Sequence, residues 1–278
     1  MGGIIWLASY PKSGNTWLRA FFHNLLRNPE RSYDINRLSD LTVGDSQAHW
    51  YREIDPRPSS QYTLAEVQRM RPIVHRRLTT LSPDSILVKT HNALMEDEGH
   101  PVVTQEVTAG AIYIIRNPLD VVVSLSHHAG TSIDETIKRL NAEGASSANT
   151  DENVYELHGS WTQHVVSWTQ TPSPTLHVMR YEDMLEAPLR TFTAAAKFLG
   201  LDPPRARIEK AIKLSSFRVL QEQERRHGFR ERPPQAKAFF REGKAGQWRK
   251  VLTREQAMAV IAAHREQMAR FGYVPEGF

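Results

Sequence analysis

Five apolar residues, Ile4-Ile5-Trp6-Leu7-Ala8, run straight into Ser9-Tyr10-Pro11-Lys12-Ser13-Gly14-Asn15-Thr16-Trp17, and a helical period begins at once. Leu18, Phe21, Phe22, Leu25 and Leu26 fall at i, i+3, i+4, i+7 and i+8, one face of an amphipathic helix. The N-terminal segment therefore reads as strand, loop, helix. Three more apolar runs have strand length: Ile86–Lys89, Ala111–Ile115 and Thr175–Met179. Between and after them lie helical periods with start signals. Thr63-x-x-Glu66 is a capping box ahead of Val67, Met70, Val74, Leu78 and Leu81. Thr253-x-x-Gln256 repeats it ahead of Ala257, Val260, Ile261, His264, Met268 and Phe271. Strands alternating with helices predict an α/β fold with a central parallel β-sheet flanked by helices. No repeat or linker divides the chain, so residues 1–278 are expected to form one domain. Ser39–Ser60 and Asn141–Asn153 read as loops. For Asn141–Asn153, a cover over a ligand and a tolerated insertion weigh equally.

The first loop is built for an anion. It lies at a helix N-terminus, where free N–H groups and the positive dipole end collect. Gly14 lets backbone approach the ligand closely, Lys12 adds a full charge, and Ser13 and Thr16 add hydroxyls. An ordinary strand–helix turn would leave this combination unexplained. Lys12 precedes Gly14, so the triphosphate pattern G-x-x-x-x-G-K-[ST] is absent.

A second candidate site follows the strand at Ala111–Ile115. Asn117 suits an N-cap and Pro118 the first helical position, so a helix starts at the strand's C-terminal edge, where ligands of open α/β sheets bind. Arg116 has the planar fork that grips phosphate, and Ser124 on the helix adds a hydroxyl. The bland alternative is that Arg116 pairs locally with Asp120.

Together these segments resemble the sulfotransferases that use 3′-phosphoadenosine 5′-phosphosulfate (PAPS). The family's 5′-phosphosulfate loop, Y-P-K-S-G-x-T-W, is matched by Tyr10–Trp17. Its 3′-phosphate segment, R-N-P-x-D-x-x-x-S, is matched by Arg116–Ser124. Its C-terminal R-x-G-x-x-G-x-W is matched by Arg241–Trp248, including Arg241 and Gly243. Three elements in family order, spanning nearly the whole chain, make the resemblance specific. It implies a P-loop-like nucleotide-binding fold, PAPS as co-substrate, adenosine 3′,5′-bisphosphate (PAP) as product and a small-molecule hydroxyl acceptor. Lys89-Thr90-His91 resembles the family's K-T-H, whose histidine is the general base. Tyr181 resembles the nucleotide-contacting tyrosine of Y-E-D. Ser215-Ser216-Phe217 resembles the segment beside the adenine, with Trp17 stacking from the other side. Glu242 replaces a common family lysine. The dimerisation motif K-x-x-x-T-V-x-x-x-E is not cleanly present around Arg249–Met258, which leaves a homodimer open.

The implied chemistry assigns Lys12 to the leaving phosphate, His91 to the acceptor's proton, and Lys89 to steadying the transferring group. Lys89 reads equally as a strand-end lysine in solvent. His49-Trp50-Tyr51 reads as either an aromatic or glycosidic acceptor contact or plain packing. No metal is implied: the histidines lack H-E-x-x-H spacing. A small-molecule kinase would want a Walker loop and a magnesium carboxylate, and neither stands out. The net charge of +4 gives a nucleic-acid binder little support. The arginines of Arg69–Arg77 alternate with core residues and read as a solvated helix face. No signal peptide or membrane-spanning run is visible, so a cytoplasmic location is expected; the absence of cysteine fits a reducing compartment.

Overall fold

Alternation along β1 (Ile4–Ser9) sorts its side chains onto two faces. Ile4, Trp6 and Ala8 enter one core and Leu7 another, so both faces need cover. The structure, a computed structural model describing residues 2–278, provides it. The further strands are β2 (Thr42–Gly44), β3 (Ile86–Thr90), the short hairpin of β4 (Glu96–Asp97) and β5 (His100–Pro101), β6 (Thr108–Ile115) and β7 (Leu176–Arg180). The main sheet has the order β2-β3-β1-β6-β7, parallel throughout. Trp6 pairs with Val88 on one side and Ala111 on the other.

Helix α1 (Asn15–Arg27) lays Leu18, Phe21, Phe22 and Leu25 on the Leu7 face, against Ile112 and Ile114; Leu26 is half in solvent. Ser39–Ser60 is not simply loop: it holds β2 and the short helix α2 (Ala48–Arg52). A three-residue edge strand is too short to show a period of two. Helix α3 (Leu64–Leu78) starts on the Thr63/Glu66 capping box and packs on the Trp6 face, as do α4 (Pro118–Ala129), α5 (Ile133–Asn141) and α6 (Trp161–Thr169). Leu81 lies past the end of α3 and is half exposed.

The reading of Arg69–Arg77 as a solvated face holds for Arg69, Arg76 and Arg77 only. Arg71 is fully buried, donates to the Tyr155 carbonyl at 2.6 Å and lies 3.9 Å from Asp45. Helices α7 (Tyr181–Glu186), α8 (Pro188–Phe198) and α9 (Arg205–Leu214) complete the Leu7 face through Met184, Phe192 and Ile208. Helix α10 (Phe217–His227) builds a satellite cluster with Ala20, Ile35, Phe229 and Phe240. After α11 (Trp248–Val251), α12 (Arg254–Arg270) starts on the Thr253/Gln256 capping box and closes the Trp6 face.

β1, β3, β6 and β7 run directly into Lys12, His91, Arg116 and Tyr181 at one edge of the sheet. The strand order reverses beside β1, the place where a crevice opens in such sheets. Among the described residues no helix is long and apolar enough to cross a membrane.

Candidate active site

A cavity of about 1010 Å³ opens over that edge, and the two anion-loop candidates meet in it. The first loop folds as its residues demand. Gly14 takes φ 109° as the N-cap of α1, a left-handed conformation. A Cβ there would lie 2.7 Å from the Tyr181 ring, so glycine is required for space as well. The hydrogen bonds of α1 begin with Trp17 N–H to the Gly14 carbonyl at 3.0 Å, leaving the preceding amides free for an anion. Lys12 is also left-handed, at φ 68°. Its ammonium sits 3.8 Å over the Phe239 ring and 3.3 Å from His128 Nδ1. Burial, reinforced by the Arg116 charge, pushes Lys12 down to about 7. Burial and then Lys12 itself push His128 down to about 3.

Arg116 does not pair with Asp120. Its Nη1 donates to the Lys12 carbonyl at 2.8 Å, its guanidinium lies 4.2 Å over the Tyr181 ring, and its buried Nε has no partner. Asp120 instead accepts from Gly246 N–H at 2.6 Å and Trp248 N–H at 3.0 Å, clipping the third motif to α4. Asn117 caps α4 by accepting from Leu119 N–H at 3.0 Å, with Pro118 at the first helical position. Ser124 faces the cavity from α4. From the third motif, Arg241 donates to Gln247 Oε1 at 2.9 Å, and Gly243 bends at φ 61°. A Cβ on Gly243 would sit 2.3 Å from the Phe217 ring, so the absence of a side chain lets these two walls close.

Not every expected contact reaches the cavity. Thr16, Asn15, Trp17, Tyr181 and Phe217 line it. Asn15, however, spends its amide on the Leu7 carbonyl at 2.8 Å. Ser13 is fully buried with an unpartnered Oγ, and Ser215 is fully buried with its Oγ donating to the Ala211 carbonyl at 2.8 Å. Neither serine lines the cavity. A serine at a helix C-terminus is readily drawn back onto a carbonyl of the preceding turn, and that is what occupies Ser215. Two residues that line the cavity, Trp17 and Arg116, carry buried N–H groups without a partner, at Nε1 and Nε. Together with the glycine cradles, they suit an aromatic, anionic ligand.

His91 leaves β3 with Nδ1 2.8 Å from the Ser9 carbonyl. A carbonyl accepts only, so Nδ1 carries the proton and Nε2 keeps its lone pair. Burial and the charge of Lys89 push His91 well below the usual histidine range, which preserves that neutral form. Lys89 is not a free solvent lysine: its Nζ lies 3.9 Å from Glu156 Oε1. Glu156 also accepts from Ser46 Oγ at 3.1 Å, and His158 Nε2 is 3.6 Å from its Oε2. Burial raises this carboxyl, but Lys89 and then His158 outweigh it and hold Glu156 well below the carboxylate range.

Glu156, His158, His128 and Phe239 were not anticipated. Glu156, His158 and Phe239 sit in irregular stretches with no motif, and His128 lies on α4 one turn past the end of the second motif, so no motif marks any of them. Asn141–Asn153 lies over the cavity: Ala48 N–H donates to Glu152 O at 2.9 Å, and Ser147, Thr150 and Asn153 form part of the lining. That favours the covering role over a tolerated insertion. His49 is exposed at the rim. Trp50 and Tyr51 are packing residues: the Trp50 indole donates to Gly44 O at 3.1 Å and Tyr51 is fully buried. Among the described residues no group of three or more His, Cys, Asp or Glu could hold a metal.

A family model described as "Sulfotransferase domain" matches residues 4–272. Flavonol 3-sulfotransferase of Flaveria bidentis is 25% identical over 97% of this chain and 83% of its own length. Cytosolic sulfotransferase 16 of Arabidopsis thaliana is 27% identical over 96% of this chain and 76% of its own. In fold, the chain is similar to mouse sulfotransferase SULT7A1 complexed with PAP, with a TM-score of 0.63 at 20% identity, covering 96% of this chain and 84% of that one. It is also similar to retinol dehydratase in a complex with retinol and PAP, with a TM-score of 0.64 at 19% identity over 95% and 81% of the two chains.

Proposed function

The chain belongs to the sulfotransferase family, and from that premise we propose that it uses PAPS to sulfate a hydroxyl of a small acceptor. One observation carries this reading: segments 10–17, 116–124 and 241–247, far apart in sequence, line a single cavity and bring Lys12, Arg116 and Arg241 to it. When bound, the donor supplies an activated sulfuryl group whose bridging oxygen leaves on the 5′-phosphate. Lys12 and the free amides at the start of α1 meet the charge that grows on that oxygen. Arg116 and Ser124 take the 3′-phosphate, with Arg241 and the Gly243 backbone closing over it. Trp17, Phe217 and Tyr181 enclose the base. His91 accepts the acceptor's proton at Nε2, and the Ser9 carbonyl on Nδ1–H holds the ring and stabilises the imidazolium. Lys89, kept in place by Glu156, steadies the transferring group. Residues 1–278 act as one domain in this reading, in the cytoplasm.

The test is a pair of measurements on the purified protein. PAP should raise the melting temperature well above the effect of AMP, and sulfur-labelled PAPS should pass label to a hydroxylated acceptor. Equal stabilisation by AMP and PAP would remove the 3′-phosphate from the Arg116–Ser124 segment. A response to ATP with magnesium, and none to PAP, would make the protein a kinase instead.

A further inference from the structure

The two ends of the cavity differ in chemistry. Around the donor end stand the aromatic rings of Trp17, Tyr181, Phe217, Phe239 and Phe240. The wall beside His91 and Lys89 is made by the chain after β2 and by the segment returning before α6. These two segments are tied to each other by Val154 N–H to the Ser46 carbonyl at 2.8 Å, and to the His91 strand end by Ala93 N–H to the Leu157 carbonyl at 2.7 Å. They present Ser46, Gln47, Ser147, Asn153, Glu156 and His158 to the cavity. Apart from Gly44 and Ala148, the residues with which these two segments line the cavity are polar, and the Tyr10 ring also lines it, its centroid 6.2 Å from that of His158. Trp50 and Tyr51, which would have supplied an aromatic platform here, are turned to packing instead.

Glu156 and His158 decide what such a wall can hold. Glu156 Oε1 is used by Ser46 and faces Lys89, whereas among the described residues Oε2 accepts no hydrogen bond and has His158 Nε2 at 3.6 Å. That nitrogen is buried and unpartnered. An apolar ring pressed against this pair would strip water from an ionised carboxylate and return nothing. A hydroxyl seated beside the pair donates to Oε2, while the buried His158 Nε2 backs the carboxylate from within the protein. A molecule with neighbouring hydroxyls can give one to this pair while the next reaches His91.

We infer that the acceptor is a polyhydroxylated, sugar-bearing molecule, positioned by Glu156, with His158 holding that carboxylate, through a hydroxyl next to the one that reacts. The inference rests on the reading of His91 as the acceptor end of a PAPS-dependent site. It sets this chain apart from the flavonol and retinol named for its relatives.

The experiment offers the full chain and labelled PAPS four acceptors: kaempferol, kaempferol 3-glucoside, methyl glucoside and androsterone. The glucosides should be turned over with kcat/KM at least about tenfold above the aglycone and the steroid, the range expected when a charged hydrogen bond is gained or lost. Mass spectrometry should place the sulfate of kaempferol 3-glucoside on the sugar. Glu156→Gln, which keeps the side chain's shape, should raise KM for the glucosides by about tenfold while the Kd for PAP stays within about twofold. Sulfate on the flavonol ring, better turnover of kaempferol or androsterone, or no turnover of either glucoside while PAP still binds, each overturns the inference and leaves the donor reading standing. A normal glucoside KM in the Glu156→Gln protein removes the carboxylate from acceptor binding. Failure of PAP to bind the wild-type protein overturns the donor reading first, and this inference with it.

Discussion

Donor binding should take up a proton, and Lys12 should be where it goes. In the free protein Lys12 lies at about 7, because burial and the neighbouring Arg116 disfavour its charge. A bound 5′-phosphate reverses that preference, so the complex holds Lys12 protonated. At pH 7.5 about a quarter of free Lys12 is charged, and binding should draw in roughly three quarters of a proton per PAP. Affinity is then full only about a pH unit below 7 and falls as pH rises, by roughly fifteenfold between pH 7.0 and 8.5 if Lys12 stays charged throughout in the complex. The assay is isothermal titration calorimetry of PAP at several pH values in two buffers of different ionisation enthalpy. Wild-type heats should depend on the buffer and Lys12→Met heats should not. A wild-type affinity that is flat from pH 7.0 to 8.5, with identical heats in both buffers, would refute the argument.

The same Lys12→Met protein should weaken PAP by the share that the Lys12 charge contributes to binding, and should lose turnover by about 10²-fold beyond that, since further charge grows on the leaving oxygen in the transition state; near-normal turnover ends that role. Arg116→Ala should weaken PAP by roughly 1.5–3 kcal/mol and leave AMP almost unaffected, read by titration of both ligands. His91→Ala should lose about 10²–10⁴-fold in rate with PAP affinity kept. Because the folded protein depresses the histidine, the wild-type rate should hold at neutral pH and fall only as pH drops below the ordinary histidine range, a limb the variant should lack. Gly243→Ala forces a side chain onto the Phe217 ring at a left-handed position, so PAP binding should weaken by about 1–3 kcal/mol with little change in melting temperature; unchanged binding would show that the wall yields freely.

What could be read from the sequence was what is local. β1, its loop and α1 are contiguous, and their apolar period and glycine leave few alternatives. The same holds for Asn117-Pro118 at the start of α4 and for the capping boxes of α3 and α12, each realised where its residues put it. β2 was missed because three residues against the edge of the sheet carry no period. Arg71 was misread because a buried guanidinium and an exposed one look alike until Tyr155 and Asp45 are brought to it by the fold. Glu156 and His158 lie in an irregular stretch just after Asn141–Asn153, with no period and no motif. Their place beside Lys89 depends on chain pairings across 65 or more positions, such as Leu157 N–H to Asn92 Oδ1 at 2.8 Å. Ser215 is the opposite case: its segment is legible in sequence, whereas the donation of its hydroxyl to the Ala211 carbonyl of its own helix is not.

Asp120 explains why the second motif has the spacing it has. Residues 240–247 have no regular structure of their own, so holding Arg241 and Gly243 over the cavity costs backbone entropy that no ladder of hydrogen bonds repays. Asp120 repays part of it: a buried carboxylate on the first turn of α4 takes the amides of Gly246 and Trp248. Its place on that turn points it away from Arg116, whose guanidinium is left to the Lys12 carbonyl and the cavity. Asparagine for the cap, proline for the first helical turn and aspartate for the third segment, with arginine and serine for the anion in the proposed reading, make five separate tasks on nine consecutive residues. A local Arg116–Asp120 pair would have neutralised the anion site and released the segment that closes it. Keeping the two apart leaves Arg116 at the cavity and Asp120 on the segment that borders it.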